Sequence, residues 1–316
     1  MTTSLVLVAT LIQPVQRAAA APVDLAESVE LFPAIDSPPV VPDASEFPAG
    51  RFDEASSQPL NEATRRGLAK SAPRPTNVGL DEFDPADADV VSRTEFETTY
   101  RLEDGTNVSE LSLVPLNVRT PDGNWAELST EITDWEAGRW GADEHPLKPT
   151  FGNEADDDAV LEVARDGYKV SFALEDSADS RMSRPTANRR QADQSSVEYH
   201  DVFDDVDLRY DVEAGSVKET LVLNEIPSKA ESSWSWIVSA PGLTLEVNEF
   251  REIVFLDKAG VTKFHIPAPI AWDSSGIEEV REPSLINLDT ELSQVGDKWR
   301  LQLSADPEWL TAPERE

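Results

Sequence analysis

The 316-residue chain carries 61 acidic and 27 basic side chains, a formal net charge of −34, and contains no cysteine. Such an excess of negative charge repels phosphate backbones and anionic membrane surfaces, so the composition predicts no nucleic-acid partner and no membrane attachment of the mature chain. The absence of cysteine excludes disulfides, thiolate metal sites and a cysteine nucleophile. Hydrophobic residues make up 39% of the chain, which is enough for a folded core.

Residues 1–21 are predicted to be a signal peptide. The apolar stretch SLVLVATLI has the length of a signal-peptide core, and the small residues of RAAAAPV allow cleavage between Ala19 and Ala21. The alternative interpretation is a short buried helix. Because the stretch is too short to span a bilayer, we expect a secreted, extracellular protein after cleavage.

Residues 22–92 are predicted to form a disordered linker rich in proline and aspartate. Proline, alanine, aspartate, glutamate and serine dominate in FPAIDSPPVVPDASEFPAG and in LDEFDPADADVV. The prolines interrupt every candidate helix or strand, and low hydrophobicity with high charge favours disorder. The folded part is expected to begin near Arg93.

The remaining sequence is typical of short antiparallel strands joined by glycine turns. Three turns contain Asp-Gly, at 104–105, 122–123 and 166–167, and the flanking runs alternate apolar and polar residues, as in VDLRYDV, SVKETLVL, REIVFLD and TKFHI. Asp-Gly tolerates the positive φ of tight hairpin turns, and a period of two marks a strand with one buried face. The predicted fold class is all-β, an antiparallel β-sandwich of one or two units after a disordered acidic N-terminal segment.

Two folded units are predicted, a β-hairpin-rich unit over residues 93–180 and a β-sandwich unit over residues 196–316. The clearest hairpin of the first is AVLEVARDGYKVSFAL, and a polar, pattern-free segment separates the two units. Alternation in the second unit predicts a set of core side chains: Val206, Leu208, Tyr210, Leu221 and Leu223. It also places Trp234, Trp236 and Val238 on one buried strand face.

The sequence predicts no catalytic, cofactor-binding or metal-binding residue. The three histidines, His145, His200 and His265, form neither an H-E-x-x-H helix nor a close pair. His265 alternates with apolar neighbours, and His200 has acidic neighbours that would raise its pKa, so both are interpreted as structural. Because a G-x-S-x-G elbow, a P-loop and a G-x-G-x-x-G motif are also missing, we expect no enzyme activity.

Two further site hypotheses come from acidic and aromatic residues. Three acidic triplets are candidates for calcium, although none has the EF-hand spacing and such triplets arise by chance in so acidic a chain: Asp84, Asp87 and Asp89; Asp156, Asp157 and Asp158; Asp204, Asp205 and Asp207. Of the eight tryptophans, Trp135 and Trp140 fall in a long loop and are the candidates for stacking on a sugar. Paired carboxylates for glycoside hydrolysis cannot be singled out.

An ordered set of segments resembles a known family. The segments are VDLRYDVEAGSVKETLVLNEIPS, GLTLEVN, REIVFLDKAG, FHIPAPIAWDSSG and WRLQLSADPEWLTAPERE. Together they resemble the N-terminal β-rich region of secreted actinobacterial proteins of the RHS (YD-repeat) and DNRLRE-domain kind, over roughly residues 93–316. These segments are strands and turns, so the resemblance carries over no functional residue. Such proteins continue into a further β domain, YD repeats and sometimes a toxin, so the chain is expected to be a fragment or a stand-alone version.

These observations predict a secreted, non-enzymatic structural or presenting module of an RHS-like cell-surface or toxin-delivery protein. Its expected partners are downstream domains of a larger polypeptide or a cell-wall glycan, with no nucleic acid, no membrane and no cofactor. The alternatives are an extracellular carbohydrate- or wall-binding module and, less favoured, a hydrolase that uses two carboxylates.

Overall fold

The computed structural model describes residues 5–14, 83–85, 88–135, 138–183, 194–225, 232–273 and 284–312. Of the described residues, those of 5–14 and those from 89 to 312 belong to one compact unit. Residues 22–82 of the predicted disordered linker lie outside the described residues. Over the ranges given, no helix is long and apolar enough to cross a membrane.

The regular structure is almost entirely antiparallel β-sheet, which confirms the predicted all-β class. A single short helix, α1, is found in the described ranges and spans Pro307–Leu310. In chain order the strands are β1 (Leu5–Pro14), β2 (Asp89–Thr94), β3 (Glu97–Arg101), β4 (Asn107–Leu111), β5 (Asn117–Arg119), β6 (Trp125–Glu127), β7 (Thr133–Asp134), β8 (Trp140–Gly141), β9 (Thr150–Phe151), β10 (Leu161–Arg165), β11 (Tyr168–Leu174), β12 (Met182–Ser183), β13 (Ser196–Phe203), β14 (Val206–Glu213), β15 (Ser216–Leu223), β16 (Ser233–Ser239), β17 (Thr244–Val247), β18 (Ile253–Leu256), β19 (Thr262–Ile266), β20 (Ile270–Asp273), β21 (Leu285–Asn287), β22 (Asp289–Val295) and β23 (Lys298–Ser304).

Two large sheets and two small ones contain these strands. The larger has ten strands, in the order β12-β13-β14-β15-β1-β19-β18-β17, with β20 paired to β1 and β21. The second has eight, in the order β22-β23-β16-β11-β10-β9-β8-β7, and therefore draws strands from both predicted units. The small sheets are β2-β3-β4 and β5-β6.

The apolar run predicted to be the signal-peptide core forms strand β1, not a helix. Its residues 5–7 and 10–12 pair antiparallel with β15, residues 5–7 also pair with β20, and residues 13–14 pair with β19. The strand therefore lies within the ten-stranded sheet and bridges two groups of strands. Export of the protein stays a prediction.

The two large sheets share one hydrophobic core. The rings of Phe151, from the eight-stranded sheet, and Tyr210, from the ten-stranded sheet, have centroids 5.5 Å apart. The Tyr199 hydroxyl donates a hydrogen bond to the backbone oxygen of Gly152 at 2.7 Å. These contacts confirm a sandwich. All of the predicted core side chains are buried within it: Val206, Leu208, Tyr210, Leu221, Leu223, Trp234, Trp236 and Val238.

The predicted Asp-Gly turns close hairpins. They join β3 to β4, β5 to β6 and β10 to β11. In the third, Asp166 has φ 53° and Gly167 has φ 80°, so both central residues adopt the left-handed conformation that a type I′ turn needs. Two of these hairpins, β5-β6 and β10-β11, position the site described next.

Candidate functional site

Two open clefts of similar size differ in charge. One has a volume of about 610 Å³ and is lined by the single arginine Arg300 against four acidic residues: Glu175, Asp176, Asp201 and Asp204. The other has a volume of about 530 Å³ and is lined by residues 95, 117–119, 125, 146, 148 and 164–169. Both volumes fall within the range of ligand sites, about 300–1,000 Å³. We call the first the acidic cleft and the second the basic cleft.

The basic cleft gathers cationic side chains from three separate parts of the chain. Arg119 comes from β5, Lys148 from the turn before β9, Arg165 from the end of β10 and Lys169 from β11, against two acidic lining residues, Glu95 and Asp166. Basic side chains thus outnumber acidic ones among the lining residues, in a protein whose net charge is −34. An anionic ligand is therefore favoured here over the acidic cleft.

Two hairpins supply the same pair of groups to this cleft. Arg119 lies directly opposite Trp125 across the β5-β6 turn, and Arg165 lies directly opposite Tyr168 across the β10-β11 turn. Residues directly opposite on an antiparallel pair have Cβ atoms about 4.5–5.5 Å apart. Each Asp-Gly turn therefore places the Cβ atom of an arginine close to the Cβ atom of an aromatic residue.

Cations lie over both aromatic rings. The Arg119 guanidinium carbon is 5.0 Å from the centre of the Trp125 ring, and the Lys263 ammonium nitrogen is 5.3 Å from the centre of the Tyr168 ring. Both rings are half-buried, and Arg119 is exposed. Aromatic faces bind nucleobases by stacking, and neighbouring cations bind phosphates.

Carboxylates neutralise part of the positive charge. Arg165 pairs with Glu95 at 3.0 Å, Lys169 with Glu162 at 2.8 Å and Lys148 with Asp143 at 3.3 Å. Arg119 instead donates to the backbone oxygen of Gly123 at 3.0 Å and has no carboxylate partner in the described part of the chain. It is therefore the cation of this cleft with the most capacity to bind an added anion.

Arg165 also retains an unused donor. Its Nη2 bonds to Glu95, whereas its buried Nη1 has no hydrogen-bond partner among the described residues. A buried donor without a partner lowers the stability of the folded state by about 1–3 kcal/mol. A ligand atom that accepts a hydrogen bond from Nη1 would recover part of this free energy. The arrangement suits an oxygen-rich anion.

Hydrogen bonds of His145 stabilise the turn that contains Lys148. Its ring is fully buried, with Nε2 donating to the Glu213 backbone oxygen at 2.7 Å and Nδ1 accepting from the Leu147 amide at 3.1 Å. Burial lowers the pKa of His145 to about 4, and the positive charge of Arg165 contributes to the decrease. His145 is therefore neutral at pH 7 and structural. Lys148 itself has φ 42°, an uncommon left-handed conformation for a lysine.

The other two histidines lie on other strands and do not line the basic cleft. His200, in β13, has an exposed ring whose Nδ1 is 3.4 Å from Asp207. His265, in β19, is half-buried, and burial lowers its pKa.

One carboxylate in each of two acidic triplets accepts hydrogen bonds from nearby groups. Asp157 accepts from the backbone amides of Asn153 and Glu154 at 2.8 and 3.2 Å. Asp207 accepts from the Asp201 amide at 2.8 Å and from the Asn224 side chain at 3.1 Å. Asp87 lies outside the described residues. No group of three His, Cys, Asp or Glu side chains in the described ranges is arranged to hold a metal, so the calcium alternative gains no support.

The two loop tryptophans are packed rather than fully exposed. Trp140 lies in β8 and packs against the core, and the Trp135 ring lies so close to Gly141 that an added Cβ there would be 2.8 Å from it. Trp125 is the better candidate for a stacking surface, although the sequence pattern was not used to predict this role. The signal was present, because R-T-P-D-G-N-W and R-D-G-Y both place an arginine before an Asp-Gly turn and an aromatic residue after it.

Comparison with known proteins gives three relatives with a shared description. The chain is 27% identical over 246 residues to the tRNA(Glu)-specific nuclease WapA of Bacillus subtilis subsp. natto strain BEST195. It is 26% identical over 246 residues to the tRNA nuclease WapA of Bacillus subtilis strain 168, and 26% identical over 231 residues to the tRNA3(Ser)-specific nuclease WapA of Bacillus spizizenii. The matches cover 74%, 74% and 71% of this chain but only 10% of each relative. No family model and no solved structure matches the chain.

These relatives correct three predictions. A non-enzymatic structural module, the absence of enzyme activity and the exclusion of nucleic acid all conflict with relatives that are named tRNA nucleases. The third of these predictions treated net charge as if it were uniform over the surface. The charge of −34 belongs to the whole chain, whereas cations outnumber carboxylates among the residues that line the basic cleft. The chain spans about a tenth of the length of these nucleases.

Proposed function

We propose that this chain is part of a WapA-like nuclease polypeptide that acts on tRNA, and that the basic cleft is a surface that contacts the tRNA. The single structural observation that carries the proposal is the pairing of arginine with an aromatic ring on two hairpins of one cleft. The names of the relatives support tRNA as the nucleic acid. Cleavage of tRNA is proposed for the whole polypeptide, of which this chain would supply a binding surface.

The acidic character of the chain is compatible with this proposal. At physiological ionic strength the Debye length is about 8 Å, so exposed carboxylates farther than this from the cleft are largely screened. A phosphate in the cleft therefore interacts chiefly with the four lining cations and their nearest carboxylates. Binding would be of modest strength and would weaken as salt is added.

A binding titration with unmodified tRNA tests the proposal. We expect the purified chain to bind tRNA at low salt, and the double variant Arg119→Gln/Lys169→Gln to bind at least about tenfold more weakly, with a salt slope smaller by about two. Lys298→Gln is the matched control, since Lys298 is exposed at the start of β23 and does not line the cleft. Failure to bind tRNA, or equal loss in the control, would overturn the proposal.

We also propose that the polypeptide is exported and is of the RHS kind. The apolar run SLVLVATLI supports export, and the ordered segments from VDLRYDV to PEWL support the RHS resemblance. Sequencing the N-terminus of the protein from culture medium tests export. A mature N-terminus between residues 19 and 23 is expected, and retention of Met1 in the cell fraction alone would contradict it.

A further inference from the structure

We infer that the gap which strand β1 fills in the ten-stranded sheet is a docking site for another strand of the same long polypeptide. This strand gap lies between β15 on one side and β19 and β20 on the other. β1 belongs to the leader that the proposed signal-peptide cleavage would remove. The inference therefore rests on the proposed export, and it names what occupies the strand gap after cleavage, an extended, uncharged strand antiparallel to β15.

The hydrophobic core holds the two walls of the strand gap apart. Leu221 and Leu223 of β15 and Ala271 of β20 are buried in the core that the two large sheets share. Neighbouring strands lie about 4.7–4.9 Å apart, so the walls are separated by roughly twice this distance. Direct pairing of β15 with β20 would require a movement of one strand spacing and would displace these buried side chains. The strand gap therefore needs an occupant.

Removal of β1 would leave unpaired backbone groups on both walls. The positions that pair with β1 are 217–219 and 221–223 of β15, 271–273 of β20 and 264–265 of β19. Unpaired strand edges bind an added strand through main-chain hydrogen bonds, and the side chains of that strand set the specificity. The strand gap therefore offers backbone pairing on two sides at once.

The side chains around the strand gap favour an uncharged occupant. Val217, Leu221 and Leu223 alternate along β15 on the face that packs into the core. Glu219, on the same face, already accepts a hydrogen bond from the Tyr210 hydroxyl at 2.7 Å. β1 itself contains no charged residue. A charged side chain on the core-facing side of the occupant would lose its hydration among apolar groups, which is strongly unfavourable.

β1 fits the strand gap imperfectly at one position. Two of its residues, Val8 and Ala9, lie opposite the single residue Thr220, so β1 contains one extra residue there. Thr220 is 5% exposed, and its buried Oγ1 has no hydrogen-bond partner among the described residues. Valine and alanine side chains offer neither a donor nor an acceptor. A strand without the extra residue, and with a hydroxyl or amide side chain opposite Thr220, would fit better than β1.

The remainder of the long polypeptide is the expected source of this strand. The matched region makes up only 10% of each relative, so most of such a polypeptide lies outside it. A strand tethered in the same molecule is present at an effective concentration of up to about millimolar, so it competes well against a second copy in solution. We therefore expect the strand gap to be filled within one molecule, which stays monomeric.

Peptide competition on a nicked full chain tests the fit. A protease site inserted after residue 16 allows β1 to be cut from the chain while all residues remain in the sample. The nicked chain is unfolded in urea and refolded with an equimolar amount of a synthetic peptide, so slow release of β1 cannot conceal exchange. Native mass spectrometry then measures whether β1 or the peptide is bound.

Three peptides, each with a lysine tail for solubility, should give a graded result. LVLVATLIQP repeats β1 and should share the strand gap about equally with the cut strand. LVLTTLIQP has one threonine in place of Val8 and Ala9, which puts a hydroxyl opposite Thr220, so it should bind about tenfold more tightly. A form of the first peptide with Leu7→Pro and Leu11→Pro lacks two backbone donors and should not bind. Equal binding of all three would overturn the inference.

Thr220→Val is the matched variant for this comparison. It nearly keeps the shape of the side chain but removes the hydroxyl, so LVLTTLIQP and LVLVATLIQP should bind it with affinities less than about threefold apart. A tenfold preference that persists in Thr220→Val would overturn the proposed fit. Thermal unfolding of the intact variant should give an unchanged or raised midpoint, because an unpartnered buried hydroxyl is removed.

Hydrogen exchange of the secreted polypeptide tests the source of the strand. The polypeptide is purified from culture medium, and mass spectrometry reports whether all amides of β15, and not only those bonded to β14, are protected. We expect full protection in a monomer whose N-terminus lies beyond β1. Protection only in a dimer would assign the occupant to a second copy, and rapid exchange would show an open edge. Either result overturns the inference.

The outcomes separate the inference from the proposals beneath it. Retention of Met1 contradicts export and, because β1 then stays in place, the inference with it, whereas tRNA binding by the basic cleft is unaffected. Cleavage between residues 19 and 23 with an unprotected β15 overturns the inference alone. Cleavage with a protected β15 in a monomer, together with the tenfold preference for LVLTTLIQP, supports both export and the inference.

Discussion

At the scale of single residues, Glu95 opposes ligand binding in the basic cleft. Its carboxylate pairs with Arg165 at 3.0 Å, and both side chains are largely buried, with 27% and 18% exposed. We predict that Glu95→Gln strengthens tRNA binding, because it removes a negative charge from the cleft and frees a guanidinium group. A unit charge about 6 Å from a phosphate contributes about 0.7 kcal/mol in water, so the gain should be about threefold. Titration at low salt measures it, and weaker binding would contradict the assigned role.

His145 makes the stability of the folded unit depend on pH. Its ordinary pKa of 6.5 is lowered to about 4 by burial, so between these values the unfolded chain binds more protons than the folded one. Stability is therefore fully present above about pH 6.5 and decreases as pH falls towards 4, by an amount of about 3 kcal/mol.

The variant His145→Asn isolates this contribution. It should be less stable at pH 7, because the bond to the Glu213 oxygen is lost, and it should lose less stability between pH 7 and pH 5 than the natural protein. Urea unfolding at the two pH values gives both quantities. Parallel pH dependence in the two proteins would show that His145 is not the buried neutral group described here.

At the scale of secondary-structure elements, strand β15 tests the packing of the sandwich. Leu221 is 2% exposed, and its strand pairs with β14 and β1. Truncation of a buried leucine leaves a cavity, so Leu221→Ala should lower the free energy of unfolding by about 2–5 kcal/mol. Urea unfolding gives the value, and an unchanged midpoint would contradict the placement of this side chain in the core.

Strand β1 lies in the segment that the proposed signal-peptide cleavage would remove. It pairs with β15 on one side and with β19 and β20 on the other, so its removal would leave the backbone edges of those strands unpaired. We predict that deletion of residues 1–16 lowers the unfolding temperature and makes the protein prone to associate through the exposed edges. Calorimetry and size-exclusion chromatography provide the comparison. A deletion variant that stays monomeric and equally stable would show that β1 is dispensable to the fold.

At the scale of the whole molecule, local patterns predicted the fold but not the site. Alternation and Asp-Gly turns are contained within a few residues, and so the strand around Leu208 and Tyr210 and the turn at Asp166 could be predicted from the sequence. Arg119, Lys148 and Arg165 meet only because separate parts of the chain converge on one cleft. No local sequence pattern predicts that these residues meet, and the net charge of −34 gave no indication of a cleft lined by cations.

Ultraviolet crosslinking of the purified chain to tRNA, followed by mass spectrometry of the crosslinked peptides, tests the central claim most directly. Short-range crosslinks report the side chains that touch bases. The account predicts crosslinks at Trp125 or Tyr168, which both line the basic cleft. Crosslinks confined to peptides that line the acidic cleft, such as the one containing Trp234, would contradict it, as would the absence of any crosslink.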